Sequence, residues 1–147
     1  MDPRYQSDFY SWAMAQSELA RMRSSNALDW DHVAEELRLL GVSEERELKS
    51  RLIILLAHLL KWAFQPELRS RSWTNMIMSQ RLALQDYMVN NPGLKPKSQD
   101  AFASSFTRAR LEASSETDLD LAVFPIAAPF APDQAMDLDW LPGAHTA

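Results

Sequence analysis

The run Leu52-Ile53-Ile54-Leu55-Leu56-Ala57, followed by Leu59-Leu60, is the feature that most limits how this chain folds. At 100° per residue its apolar side chains run almost all the way round a helix. A helix of that kind is stable only when other elements enclose it. Helical spacing continues on both sides, from about Glu44 to Phe64, and no segment of the chain shows the sustained period-two alternation of a strand. Pro66 ends the helix, because proline has no N–H to donate and disfavours helix at the residue before it. His58 and Lys61 interrupt the run, which falls short of the ~20 apolar residues that a spanning helix needs.

Four further helices are expected around this central one. The first starts after Ser7 as N-cap, with Asp8 in the first turn, and turns Phe9, Trp12, Ala13, Gln16, Leu19 and Ala20 to one side. Asp29 caps the second, whose inward face is Trp30, Val33, Ala34, Leu37 and Leu40. Gly41 either ends that helix in a left-handed cap or sits inside one longer helix; the pattern supports both. Ser70 or Ser72 caps the next, with Trp73, Met76, Ile77, Gln80, Leu84, Tyr87 and Met88 inward, until Asn90-Asn91-Pro92-Gly93 turns the chain. A last long helix, about Ser98 to Ser115, buries Phe102, Phe106, Ala109 and Ala113. Beyond Thr117 the spacing of Pro125, Pro129, Pro132 and Pro142 forbids continuous helix, apart from one turn after Pro132. Phe124, Phe130 and Trp140 are the expected anchors of that segment. The reading is an all-α, single-domain bundle of about five helices over residues 1–142, with a loose tail at 143–147.

With 147 residues, 46% of them hydrophobic, the chain is long enough to bury one core without a crosslink. It has no cysteine, which removes disulfides, thiol catalysis and Cys-based metal sites and suits a reducing compartment. No apolar run follows a basic cluster at the start, so no signal peptide is read there and a cytoplasmic protein with no membrane partner is expected. The net charge of −5 is strongly polarised. Residues 1–45 carry 4 basic and 9 acidic side chains, residues 46–110 carry 11 and 4, and residues 111–147 carry 0 and 7. A basic middle between acidic flanks either meets an anionic partner or is neutralised by the flanks folding back, and the second is favoured.

Most of the unusual residues lie around the end of the central helix. His58, Lys61, Trp62 and Gln65 share one helical face, Arg69 and Arg71 follow in the loop, and Trp73, Gln80 and Arg81 lie on the next helix. These residues, with others along nearly the whole chain, resemble a bacterial domain-of-unknown-function family numbered 29. The resemblance rests on Tyr5, Asp8, Phe9 and Trp12 near the start, and on Asp29, Glu35, Glu36, Leu40 and Gly41 in the second helix. It continues through Ser50-Arg51-Leu52, the stretch from His58 to Trp62, Gln65-Pro66-Glu67, Ser72-Trp73, Gln80-Arg81 and Phe124-Pro125. Ala131 departs from it, because the family often has a polar residue before the proline that opens the last short helix. The resemblance implies an all-helical bacterial protein and no particular activity.

The residues themselves offer competing roles. His58 fits a general base or a metal ligand, or a histidine hydrogen-bonded inside the core, which is the commoner use on an apolar helix. His32 and Glu36 stand at i, i+4, and with His58 would give a weak divalent-metal set; without the Glu-x-x-His pairs of di-metal bundles, no metal or cofactor is expected. Glu35 and Glu36 opposite Lys61 and Arg51 make either an ion-pair network between helices or a general acid/base pair, and the network is favoured. Lys61, Arg69, Arg71 and Arg81, with Trp62, Trp73, Gln65 and Gln80, form a candidate surface for phosphates and bases, or a set of cation–ring stacks within the fold. There is no glycine-rich phosphate loop, dinucleotide fingerprint or nucleophile elbow. The expectation is a non-enzymatic binding module for a protein or nucleic-acid partner, with homo-oligomerisation compatible. The alternative is a hydrolase or nuclease, with or without a metal, built on His58, Glu35 or Glu36, and Lys61.

Overall fold

The computed structural model describes residues 2–143, so all but the first residue of the tail expected at 143–147 lies outside the described residues. Among them the chain is helical, without a strand. Residues up to Glu44 form one compact unit and residues from Glu45 onward a second.

In the first unit, a single turn, α1 (Arg4–Ser7), leads into α2 (Phe9–Arg21). Asp8, not Ser7, is the N-cap: its carboxylate accepts from the Ser11 N–H at 3.0 Å, where it also benefits from the positive end of the helix dipole. Ser7 is occupied in closing α1, its hydroxyl donating to the Pro3 carbonyl at 3.2 Å. The end of α2 is a paired-bond cap of the Schellman type, with Arg23 N–H on the Ala20 carbonyl and Ser24 N–H on the Leu19 carbonyl. That geometry puts Arg23 at φ 57°, a left-handed position usually held by glycine.

Trp30 opens α3 (Trp30–Phe64), 35 residues long and unbroken through Gly41. The second and third expected helices are therefore one. A lone glycine among good helix formers such as Leu39, Leu40 and Glu44 costs about 1 kcal/mol, too little to stop a helix that neighbouring turns propagate. A Cβ at Gly41 would meet nothing within 4 Å.

The second unit holds the hydrophobic core. Leu48, Leu52, Leu55, Leu56, Leu59 and Leu60 of α3 are buried together with Ile77 and Leu84 of α4 (Arg71–Asn90) and Phe102, Phe106, Ala109 and Ala113 of α5 (Ser98–Thr117). Of Ser70 and Ser72, Ser70 is the cap of α4, accepting from the Trp73 N–H at 3.3 Å. Two members of the anticipated inward sets, Ile54 on α3 and Met76 on α4, are exposed. After α5, Asp118 takes a left-handed conformation and the chain crosses the core through a 3-10 turn, Leu121–Val123, to α6 (Pro132–Met136). Phe124 and Phe130 are buried, and Trp140 packs edge-on against Phe130 at 5.7 Å. At α6, where Ala131 offers no side-chain acceptor, Gln134 Oε1 reaches back to the Ala131 N–H at 2.9 Å.

Charge neutralisation does not hold this acidic segment. Asp118, Asp120, Asp133, Asp137 and Asp139 form no ion pair among the described residues. Two arginines bind its backbone instead: Arg110 donates to the carbonyls of Leu121 and Phe124, and the fully buried Arg81 donates to that of Ala135 at 2.8 Å. A carbonyl that must be buried with the turn gains a charged donor, while exposed carboxylates stay hydrated.

Candidate functional site

The basic and aromatic cluster at the end of α3 is largely committed to the fold. Lys61 is buried, its Nζ 2.5 Å from Glu116 Oε2 on α5 and 5.2 Å from the centre of the Trp73 ring. Arg69 lies over Trp62, 4.6 Å from the ring centre, and donates Nε–H to the Trp62 carbonyl at 2.9 Å. Arg81 anchors α6, as above. Gln65 Oε1, Gln80 Oε1 and Arg69 Nη2 are buried with no hydrogen-bond partner among the described residues. Arg71 is exposed. His58 turns Nδ1 to the Ile54 carbonyl at 2.8 Å, and its burial is the main cause that lowers its pKa, with Lys61 adding to it against the pull of Ile54 and Glu116.

The carboxylates expected opposite Lys61 and Arg51 have other partners. Glu35 pairs with Arg38, Glu36 accepts the Tyr5 hydroxyl, Arg51 pairs with Glu47 and Lys61 with Glu116. All four expected members lie on α3, so they do not face one another across two helices. Nor do His32, Glu36 and His58 form a metal set: no group of three or more such ligands occurs among the described residues.

A polar cluster that composition did not single out lies in the first unit. The Asp29 carboxylate, nearly sealed from water, accepts from Trp12 Nε1 at 3.1 Å, the Asp2 N–H at 3.1 Å and His32 Nδ1 at 2.8 Å. The His32 hydrogen bond is the main cause that holds its pKa at about 2. Asp29 thus begins α3 in position, but its side chain joins three segments rather than capping the helix. Tyr5 stacks flat on His32 at 3.8 Å and 9°, and its hydroxyl, donating to Glu36, is pushed up to about 12 chiefly by that bond. Gln16, also buried, accepts the Asp29 N–H at 2.8 Å.

Beside this cluster, α2 and the first turns of α3 leave an apolar groove of about 940 Å³, walled by Phe9, Ala13, Ala20, Trp30, Val33, Leu37 and Leu40. The helical stripes expected to face inward are these walls. Of the α2 stripe only Trp12 and Gln16 are buried, whereas Phe9 is 48%, Trp30 59%, Leu37 64% and Leu40 65% exposed.

A family model for a domain of unknown function, DUF29, matches residues 4–141. The chain belongs to the DUF29 family. No curated protein and no solved structure matches it. The residues on which the resemblance rests fall into separate sets in this DUF29 protein. Tyr5, Trp12, Asp29 and Glu36 make the hydrogen-bonded cluster of the first unit. Lys61, Trp62, Trp73 and Arg81 make contacts inside the second. Three features of this DUF29 chain are not legible in its sequence: the Asp29 cluster, Glu116 as the partner of Lys61, and the open groove. Glu116 is 55 positions away with no local signal. The groove is a stripe whose cover is missing, which periodicity alone does not reveal. Among the described residues, no helix is long and apolar enough to cross a membrane.

Proposed function

We propose that this DUF29 protein is a non-enzymatic interaction module whose first unit takes an amphipathic helix with basic flanks from a protein partner. One observation carries the reading: the apolar stripes of α2 and α3 wall an open groove instead of a core, with Trp30, Leu37 and Leu40 each more than half exposed. Large apolar side chains gathered along two walls of one groove form a contiguous patch of the kind that partner segments cover, unlike apolar residues scattered singly over a surface. Two helices side by side offer a third the spacing it needs, its i, i+3, i+4 and i+7 residues filling the trough.

Charge selects the occupant. The first unit, residues 1–44, carries 8 acidic and 4 basic side chains. A unit of net negative charge favours a basic helix and disfavours a second copy of itself. The Asp29 cluster supports the groove by fixing Trp12, which lines it, to the start of α3. We also propose a cytoplasmic bacterial setting for such a module; the lack of cysteine suits a reducing compartment.

The test is titration of an 18-residue peptide with leucine at helical i, i+3, i+4 and i+7 positions and lysine elsewhere, followed by tryptophan fluorescence. Saturable binding in the micromolar range, abolished by Leu37→Glu with Leu40→Glu, is expected. The same peptide affinity in that double variant overturns the reading. A dimer of the wild-type chain that the double variant dissolves, seen by sedimentation, overturns it too, because a second copy is then the occupant.

A further inference from the structure

Five of the eleven basic side chains between residues 46 and 110 have no carboxylate or carbonyl partner among the described residues, and three of these five stand together. Arg51, Lys61 and Lys97 pair with Glu47, Glu116 and Glu45, while Arg69, Arg81 and Arg110 donate to backbone carbonyls. Arg71 and Lys95 stand apart from the cavity that Arg46, Lys49 and Arg108 share. That cavity, about 500 Å³, is completed by Ser50, Ile53, Ser104 and Ser105.

The placement follows from helical geometry. Arg46, Lys49, Ser50 and Ile53 occupy i, i+3, i+4 and i+7 of α3, and Ser104 and Arg108 occupy i and i+4 of α5, so each set lies on one face. Ser105, 1% exposed, donates to the Lys49 carbonyl at 3.3 Å and ties the two helices at this level. No carboxylate lines the cavity, and no aromatic ring does. Three cations held side by side repel one another unless an anion lies between them, and serine hydroxyls are suitable additional donors to an oxyanion.

We propose that the cavity of Arg46, Lys49 and Arg108 is a binding site for the phosphate groups of an anionic ligand. It is separate from the groove of the first unit and does not depend on it. Without an aromatic platform the site reads phosphate oxygens and not a base, so a small diphosphate and a nucleic-acid backbone share the chemistry it recognises.

Calorimetric titration of the full chain with inorganic pyrophosphate, with adenosine diphosphate and with a 12-nucleotide single strand tests this at low salt. Saturable binding of at least one is expected, weakened about tenfold by Lys49→Ala or by Arg108→Ala and more by the two together. Equal affinity for pyrophosphate and the nucleotide assigns the site to small diphosphates. Binding of the strand alone, with affinity falling by about two decades per decade of salt for three phosphates neutralised, assigns it to a backbone. Lys95→Ala, which removes an unpaired cation elsewhere, is the control. No binding of any probe at millimolar concentration overturns the proposal. An equal loss in Lys95→Ala also overturns it, since net charge then accounts for the attraction. All three cations are exposed, and unchanged thermal unfolding of the variants confirms that folding is not the cause of any loss.

Discussion

Lys61 and Glu116 meet at 2.5 Å with unequal access to water: the lysine side chain is 8% exposed and the glutamate 46%. The partner that loses hydration is the ammonium, and its compensation comes from one carboxylate and the face of Trp73. Removing the glutamate therefore leaves a buried cation with only a ring for company. Glu116→Ala should lower stability by about 1–3 kcal/mol, whereas Lys61→Met, which removes the need for the pair, should cost less. Urea unfolding of the two variants checks the order, and a larger loss for Lys61→Met would contradict it.

Asp29 gives the first unit a pH dependence. Its folded pKa, about 2, lies below the ordinary carboxylate value, so its contribution is fully present above about pH 4 and is lost as pH falls towards 2. Asp29→Asn should lower stability at neutral pH and flatten the decline between about pH 4 and 2. Acid titration followed by Trp12 emission reads this, and parallel acid profiles for the variant and the wild type would contradict it.

Arg81 binds the end of α6 from inside the core. Arg81→Ala leaves the Ala135 carbonyl buried without its donor and a cavity beside it, so a loss of roughly 2–4 kcal/mol is expected. Arg81→Lys should restore little, because an ammonium lacks the planar fork. Hydrogen exchange should show residues 121–140 losing protection first; uniform loss across α3 would mean the segment is not held through this contact.

Two backbone positions should accept stabilising changes. Gly41→Ala fills open space in the middle of α3 and should add about 0.5–1 kcal/mol. Arg23→Gly relieves a left-handed non-glycine cap and should add about 1 kcal/mol. Each should raise the thermal midpoint by a few degrees. A fall for Gly41→Ala would show that the helix does not run straight through that residue.

Local sequence determined the parts that depend on neighbours within a few residues. The helix of Leu52 to Leu60, buried except around Ile54, the stop at Pro66 and the stripe of Phe102, Phe106, Ala109 and Ala113 all follow from periodicity and backbone chemistry, and all are found. Phe124 and Phe130 were legible as anchors because large apolar side chains in an acidic, proline-broken segment have one use. Only the tertiary structure decided whether Gly41 breaks a helix, which carboxylate answers Lys61, and whether the stripe of Trp30, Leu37 and Leu40 is covered. Those outcomes depend on side chains brought together from distant parts of the chain. A helical pattern states that a face is apolar; it does not state what, if anything, lies against it.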